Sequence, residues 1–234
     1  MIGKIIVIEG TDCSGKETQT RLLVDKLTND GLKVKRLSFP MYDTPTGKII
    51  GACLLGKPQM CKELLKDEHS FFPEGGGNID ALAACDLYAA DRRYNLPKIL
   101  KYLNDGYIVI IDRYVTSNMA HRGGLIKNKK ERIKMYAKME LKEYVINELP
   151  RPDKTILLYL PYEYAYELKK NRQELPDDVE NNTEYLKNSE KTYLELSKLY
   201  HYDVINCVGN NQIRSVEDIN DEVYLVVKEF IEKV

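Results

Sequence analysis

What this chain lacks narrows its class first. No apolar run approaches the roughly 18 residues that a membrane-spanning helix needs, and no basic-then-apolar leader precedes the first strand-like stretch at Ile5. Secretion and membrane spanning are therefore not expected, and the chain reads as cytoplasmic. The five cysteines, Cys13, Cys53, Cys61, Cys85 and Cys207, form no C-x-x-C pair and are odd in number, so a reduced, intracellular setting is the simpler reading. The three histidines are scattered and make no metal-ligand pattern. An excess of either charge is missing too. The 35 basic and 36 acidic residues nearly cancel, which argues against a dedicated nucleic-acid or membrane surface while leaving room for a local basic site. There is no internal repeat and no low-complexity segment. What remains is a chain of 234 residues, 43% hydrophobic, long enough to bury one sizeable core. It reads as one α/β domain spanning residues 1–234.

The stretch from Ile5 to Thr18, IIVIEGTDCSGKET, carries the first chemical signal. Ile5, Ile6, Val7 and Ile8 make a continuous apolar run suited to a strand buried on both faces. Gly10, Gly15 and Lys16 then match the phosphate-binding pattern G-x-x-x-x-G-K, but Glu17 stands where that pattern has Ser or Thr. Residues without a Cβ let consecutive backbone N–H groups close on one polyphosphate. The start of a helix adds unpaired N–H groups and the positive end of its dipole. Lys16 adds a mobile charge for the outer phosphates. The competing reading is an ordinary glycine turn between a strand and a helix.

Downstream, strand-like and helix-like stretches alternate. Strands are expected at Val34 to Phe39, Tyr107 to Ile111, Thr155 to Leu160 and Val204 to Val208. A long helical pattern from Ile79 to Leu103 is expected to bend or divide at Pro97, which lacks the N–H that an unbroken helix uses. Helical patterns also cover Ser117 to Arg122 and Lys130 to Leu149, and Ser215 with Asp218 forms a cap signature for a last helix. The glycine run 75–77 marks a loop in an insertion around 57–78. Strands separated by helices imply parallel pairing with right-handed crossovers. Ligands in such sheets collect at the C-terminal strand ends, where the glycine loop, Phe39-Pro40 and Asp112 all fall. Asp112 closes an apolar strand, so its carboxylate is placed to hold Mg²⁺ against phosphates gripped by the loop, or more plainly to cap the next helix. Arg113 is placed for a second phosphate, or for a surface ion pair.

Four segments, IEGTDCSGKETQ, SFPMYDTPTGKI, LYAADRRYNLPKI and VIIDRYVTSNMAHRGG, together with the helix-like YLKNSEKTYLEL, resemble the thymidylate kinase family of P-loop nucleoside monophosphate kinases. The resemblance implies a five-stranded parallel sheet with helices on both faces and a lid, here about residues 169–182. It implies a homodimer, and transfer of the γ-phosphoryl group of ATP to dTMP with Mg²⁺, giving dTDP. The implied partners are small-molecule nucleotides, with neither nucleic acid nor membrane. By position, the ATP loop would be Gly10, Thr11, Asp12, Cys13, Ser14, Gly15, Lys16, Glu17 and Thr18. Tyr88 would stack on the acceptor base and Arg92, one helical turn later, would donate to a base oxygen. Phe39, Ser117 and His121 would lie around the acceptor, Asp12 would meet its sugar 3′-hydroxyl, and Arg113 would bind its phosphate. Lys16, Arg113, Asp112 and the lid residue Arg172 would be the catalytic set, with Asp112 at the metal.

The chain departs from the family pattern at Glu17, at Cys13, where some members have arginine, and at Tyr42, where another arginine would hold the acceptor phosphate. Lys48 and Arg36 are the candidates to compensate for Tyr42. Arg122 and His121 stand where glutamine and an aromatic residue are common. These departures keep two other readings open. One is a kinase for another pyrimidine nucleotide or a deoxynucleoside; the other is a nucleotide-binding regulatory module without catalysis.

Overall fold

Consecutive side chains of a strand face opposite ways, and β1 (Lys4–Gly10) buries both sets. In the computed structural model, which describes residues 3–62, 71–72, 79–170 and 183–233, Ile5 and Val7 enter one core and Ile6 and Ile8 another. The element order is β1, α1 (Lys16–Asn29), β2 (Val34–Ser38), α2 (Pro45–Leu54), α3 (Ala81–Asn104), β3 (Ile108–Asp112), α4 (Val115–Gly123) and α5 (Lys129–Glu140). A π-helical turn (Leu141–Ile146), β4 (Lys154–Tyr159), α6 (Tyr162–Lys170), α7 (Thr183–Leu199), β5 (Asp203–Asn206) and α8 (Val216–Glu232) follow. A short hairpin, Val208–Gly209 with Gln212–Ile213, lies between β5 and α8.

The five long strands form one parallel sheet in the order β2-β3-β1-β4-β5. On one face Leu23 and Leu27 of α1 and Ile219, Val223 and Val227 of α8 cover Ile6, Ile8, Ile110 and Leu158. On the other, Leu96 and Ile99 of α3, Val115 and Met119 of α4, Met135 and Met139 of α5 and Leu196 of α7 cover Ile5, Val7, Val109 and Leu157. Helices on both faces explain why the strands read as unbroken apolar runs. This is the five-stranded parallel sheet with helices on both faces that the sequence predicts.

Several boundaries differ by a residue or two from the sequence reading. β2 ends at Ser38, one residue before Phe39, and β3 includes Asp112 as its last residue. α3 runs through Pro97 without division. Its first turn is capped by Asp80, whose side chain accepts from the N–H groups of Leu82 and Ala83 at 3.0 Å each, and the apolar side chains around Pro97 hold it on the sheet. The predicted helix Lys130 to Leu149 is α-helical only to Glu140 and then widens into the π turn. β5 ends at Asn206, and Val208 belongs to the hairpin. Ser215 does cap α8, accepting from the Asp218 N–H at 3.0 Å. The glycine run 75–77, and the proposed lid beyond Lys170 with Arg172, lie outside the described residues. No helix among the described residues is long and apolar enough to cross a membrane.

Candidate active site

The loop from Gly10 to Gly15 leaves the C-terminal end of β1 between β3 and β4, and its backbone explains its glycines. A Cβ on Gly10 would sit 2.4 Å from Ser14 Oγ and 2.9 Å from the Leu158 carbonyl oxygen, so only glycine fits there. Gly15, at the N-cap of α1, has φ 77°, in the left-handed region that favours glycine. Thr11 pins the loop to the end of β4: its hydroxyl donates to the Leu160 carbonyl at 2.7 Å and accepts from the Leu160 N–H at 2.9 Å.

Lys16 opens α1 and folds back over this loop. Its Nζ donates to the carbonyl oxygens of Gly10 at 3.0 Å and Thr11 at 2.8 Å. Burial and the nearby Arg113 push the ammonium down to about 8, against the pull of Asp12, Asp112 and Glu9. Glu17, one residue on, is exposed. It stands in the first turn of α1, where a carboxylate suits the positive end of the helix dipole.

The register of the sheet brings the second loop beside the first. Asp112 pairs with Ile8 of β1 and Ser38 of β2, and the Arg113 N–H donates to the Ile8 carbonyl at 3.2 Å. Arg113 has φ 63°, an uncommon backbone for a residue with a side chain. Its Nη2 lies 3.9 Å from Asp12 Oδ1 and its Nη1 3.4 Å from His121 Nε2. Burial disfavours the Arg113 charge, but Tyr193, Asp12, Asp112 and Glu9 outweigh it and raise its pKa. Burial likewise opposes ionisation of Asp12, but the positive charge of His121 when protonated, Arg113 and Lys16 holds its carboxyl below the usual range. Asp112 is also engaged, since its Oδ2 accepts from Arg36 Nη2 at 2.9 Å, and Arg36 Nε donates to Thr20 Oγ1 at 2.8 Å.

The sequence reading missed Glu9, although an acid inside the apolar run IIVIEG was its signal. Glu9 is fully buried, and its carboxylate accepts from Tyr114 N–H at 2.8 Å, Ser117 N–H at 3.1 Å and Ser117 Oγ at 2.6 Å. It thereby fastens the start of α4 to β1. Burial raises the Glu9 pKa, while these donors and the Arg113 and Lys16 charges work the other way. Ser117, read as an acceptor contact, bonds Glu9 here and lies 3.2 Å from the Tyr193 hydroxyl. Phe39, read the same way, is a core residue whose ring centroid lies 6.0 Å from that of Tyr114.

The remaining acceptor candidates form a second wall. His121 stacks on Tyr185 with ring centroids 5.7 Å apart, and its Nδ1 lies 3.0 Å from the Tyr185 hydroxyl. Burial and the neighbouring cations Arg113 and Lys16 push the imidazole down to about 4, against the pull of Asp12, so it is neutral near pH 7. Tyr88 is half-buried beside Ile50, Leu54 and Ala84. Arg92 is more deeply placed than its resemblance-based role suggests: it is buried and paired with Glu143, with its Nε 3.1 Å from Glu143 Oε2 and a further bond from Nη2 to Oε1. Arg36 is committed to Asp112 and Thr20, and Lys48 is exposed.

As to Mg²⁺, no group of three acidic, cysteine or histidine side chains able to hold a metal occurs among the described residues. Asp112 fits as a single carboxylate donor, since among the described residues Arg36 takes only its Oδ2. Such a hard cation would then draw most of its oxygens from nucleotide and water.

Comparison with known proteins gives the family of the chain. The family model described as thymidylate kinase matches residues 8–220. A probable thymidylate kinase of Thermococcus onnurineus is 32% identical over 231 residues, covering 97% of this chain and 99% of the relative. One from Pyrococcus horikoshii is 31% identical over 232 residues, 97% of each chain. The thymidylate kinase of Plasmodium falciparum is 29% identical over 224 residues, 94% of this chain and 88% of its own. In three dimensions the chain matches a solved thymidylate kinase from Candida albicans with a TM-score of 0.71 at 23% identity, covering 97% of this chain and 92% of that one, a likeness of fold. A family match that runs from the glycine loop through the Asp112-Arg113 segment into the last helix places this chain in the thymidylate kinase family.

Proposed function

We propose that this chain transfers the γ-phosphoryl group of ATP to dTMP, giving ADP and dTDP. As a thymidylate kinase family member it is a nucleoside monophosphate kinase, and the observation that carries the residue assignment is the meeting of Lys16 and Arg113 around Asp12 and Asp112. Two cations held at the ends of adjacent strands suit two phosphate groups that must be brought into line. Lys16, released from the Gly10 and Thr11 carbonyls, meets the donor phosphates together with the loop and helix N–H groups. Arg113, always charged, holds the acceptor phosphate. An oxygen of that phosphate attacks the γ-phosphorus as the bond to the β–γ bridging oxygen breaks. The attacking oxygen is already anionic, so no general base is required. When bound, Mg²⁺ neutralises charge on the transferring phosphates, and Asp112 is the side chain that would help hold it. Asp12 orients Arg113 and accepts from the acceptor sugar hydroxyl; Tyr88, Arg92 and His121 shape the base and sugar site. Arg172, outside the described residues, remains the sequence candidate for charge on the moving phosphoryl group.

The whole chain is read as one kinase domain. Leu141, Val145 and Ile146 are each more than half exposed, which supports a homodimer surface there, whereas Met135 and Met139 belong to the core. One assay tests the activity: purified chain with ATP and Mg²⁺, offered dTMP, dUMP, CMP, UMP and thymidine in parallel, following diphosphate formation. Preference for dTMP supports this reading. Equal use of CMP or thymidine would replace the acceptor, and nucleotide binding with no turnover would leave a regulatory module.

A further inference from the structure

The ion pair between Arg92 and Glu143 is not explained by stability. Each residue is 2% exposed, and a buried arginine–glutamate pair is commonly no more stable than apolar side chains of similar volume. Glu143 also stands at the next position of a buried helical stripe. Arg132, Met135, Tyr136 and Met139 are the buried stripe of α5, and four residues beyond Met139 the stripe continues through Glu143 in the π turn. Widened π turns often mark functional positions.

On the proposed reading the pair adjoins the base site, because Arg92 shares a helix with Tyr88. Tyr185 is within electrostatic reach of Asp12, Tyr88 and Arg122, and Cys85 of both Arg122 and Arg92. Arg92 follows Tyr88 by four residues on α3, so both lie on one helix face. Glu143 engages Nε and Nη2 of Arg92 together, which fixes the plane of the guanidinium. The third nitrogen, Nη1, makes no hydrogen bond among the described residues.

We infer that Glu143 is a positioning residue which locks the Arg92 guanidinium in one plane, so that Nη1 presents N–H donors to a 4-oxo pyrimidine base and rejects a 4-amino one. A base with a carbonyl oxygen at that place accepts from Nη1. A base with an amino group there sets donor against donor in a buried site and leaves both unpaired. The inference rests on the dTMP reading above and names the residue that makes its base selection rigid.

The test is steady-state kinetics of the full chain with ATP and Mg²⁺, using dTMP and dCMP as acceptors, alongside thermal unfolding. Glu143→Gln keeps the shape but weakens the grip. It is expected to raise the KM for dTMP about tenfold, with a smaller change in kcat and none in the KM for ATP, and to lower the dTMP/dCMP ratio of kcat/KM about tenfold. The double variant Arg92→Met/Glu143→Leu replaces the pair with apolar volume. It is expected to unfold near the wild-type temperature and to lose the same selectivity, which separates base selection from folding. Selectivity within about twofold of wild type in either folded variant would overturn the role of Glu143 while leaving the dTMP reading intact. A wild-type chain that phosphorylates neither nucleotide would overturn the reading itself, and this role with it.

Discussion

Arg36 reaches from β2 to the end of β3 and places its Nη2 2.9 Å from Asp112 Oδ2. The carboxylate proposed for Mg²⁺ is therefore shared with a cation of the protein. If Arg36 competes with the metal, Arg36→Met is expected to lower the Mg²⁺ concentration needed for half-maximal activity by roughly five- to tenfold, since removing one charge-assisted bond is worth about 1–1.5 kcal/mol. Magnesium titrations of rate and of Mg²⁺-dependent nucleotide binding both read this. A half-saturation that rises in the variant would mean that Arg36 helps hold the metal–nucleotide complex instead.

Lys16 gives a pH dependence. Its ammonium titrates at about 8 in the folded chain because it is buried, so above that pH the charge that meets ATP is lost. ATP affinity should be flat below pH 8 and fall about tenfold per pH unit above it, with about one proton taken up on binding at pH 9. Calorimetry in buffers of different ionisation enthalpy measures both. Lys16→Arg, which cannot deprotonate in this range, should abolish the break.

Arg113 is strained at φ 63° and paired with Asp12 at 3.9 Å. Arg113→Ala removes the acceptor cation, and on the proposed reading should lower kcat/KM for dTMP by about a thousandfold or more, as for other preorganised charge in phosphoryl transfer. ATP affinity should change little. Because Arg113 contributes little to the apolar cores, circular dichroism should match wild type. Near-normal turnover in the folded variant would remove the assignment.

The sheet was legible in the sequence because burial on both faces leaves an unmistakable signal: IIVI, IVII and ILLYL are apolar runs bounded by glycine or polar residues. The glycine loop was legible for a related reason, since the close approach of Gly10 to Ser14 and Leu158 demands a specific residue. Pairings were not legible. Arg36 with Asp112 joins residues 76 apart, and Glu9 with Ser117 residues 108 apart; only the strand order β2-β3-β1 brings them together. For that reason the bonds of Ser117 to Glu9 and of Arg36 to Asp112 were not visible from their neighbours in sequence. Glu143 was not legible either, for it falls in the π turn that interrupts the expected helix, and its partner is Arg92, 51 residues away.

His121 links the crevice to acid stability. Its folded pKa is about 4, below the roughly 6.5 of an unfolded histidine. Between those values the unfolded chain takes up a proton that the native chain refuses, so stability falls as pH drops from about 6.5 to about 4. Asp12 acts lower down: its depressed native pKa contributes stability that is lost only as pH falls below about 3.9. The two windows adjoin, and the two groups act on each other's charge, so the limbs are linked. His121→Phe should flatten the stability profile between pH 6.5 and 4 by about 1–2 kcal/mol, discounted for the partly exposed ring, and should also shrink the Asp12 loss below pH 4, because the His121 charge is the largest one holding that carboxyl down. Urea unfolding at half-unit pH intervals reads both limbs. A variant whose profile still declines as wild type does between pH 6.5 and 4 would assign that loss to other groups. The packing of His121 on Tyr185 and Arg113 would then be no source of acid sensitivity.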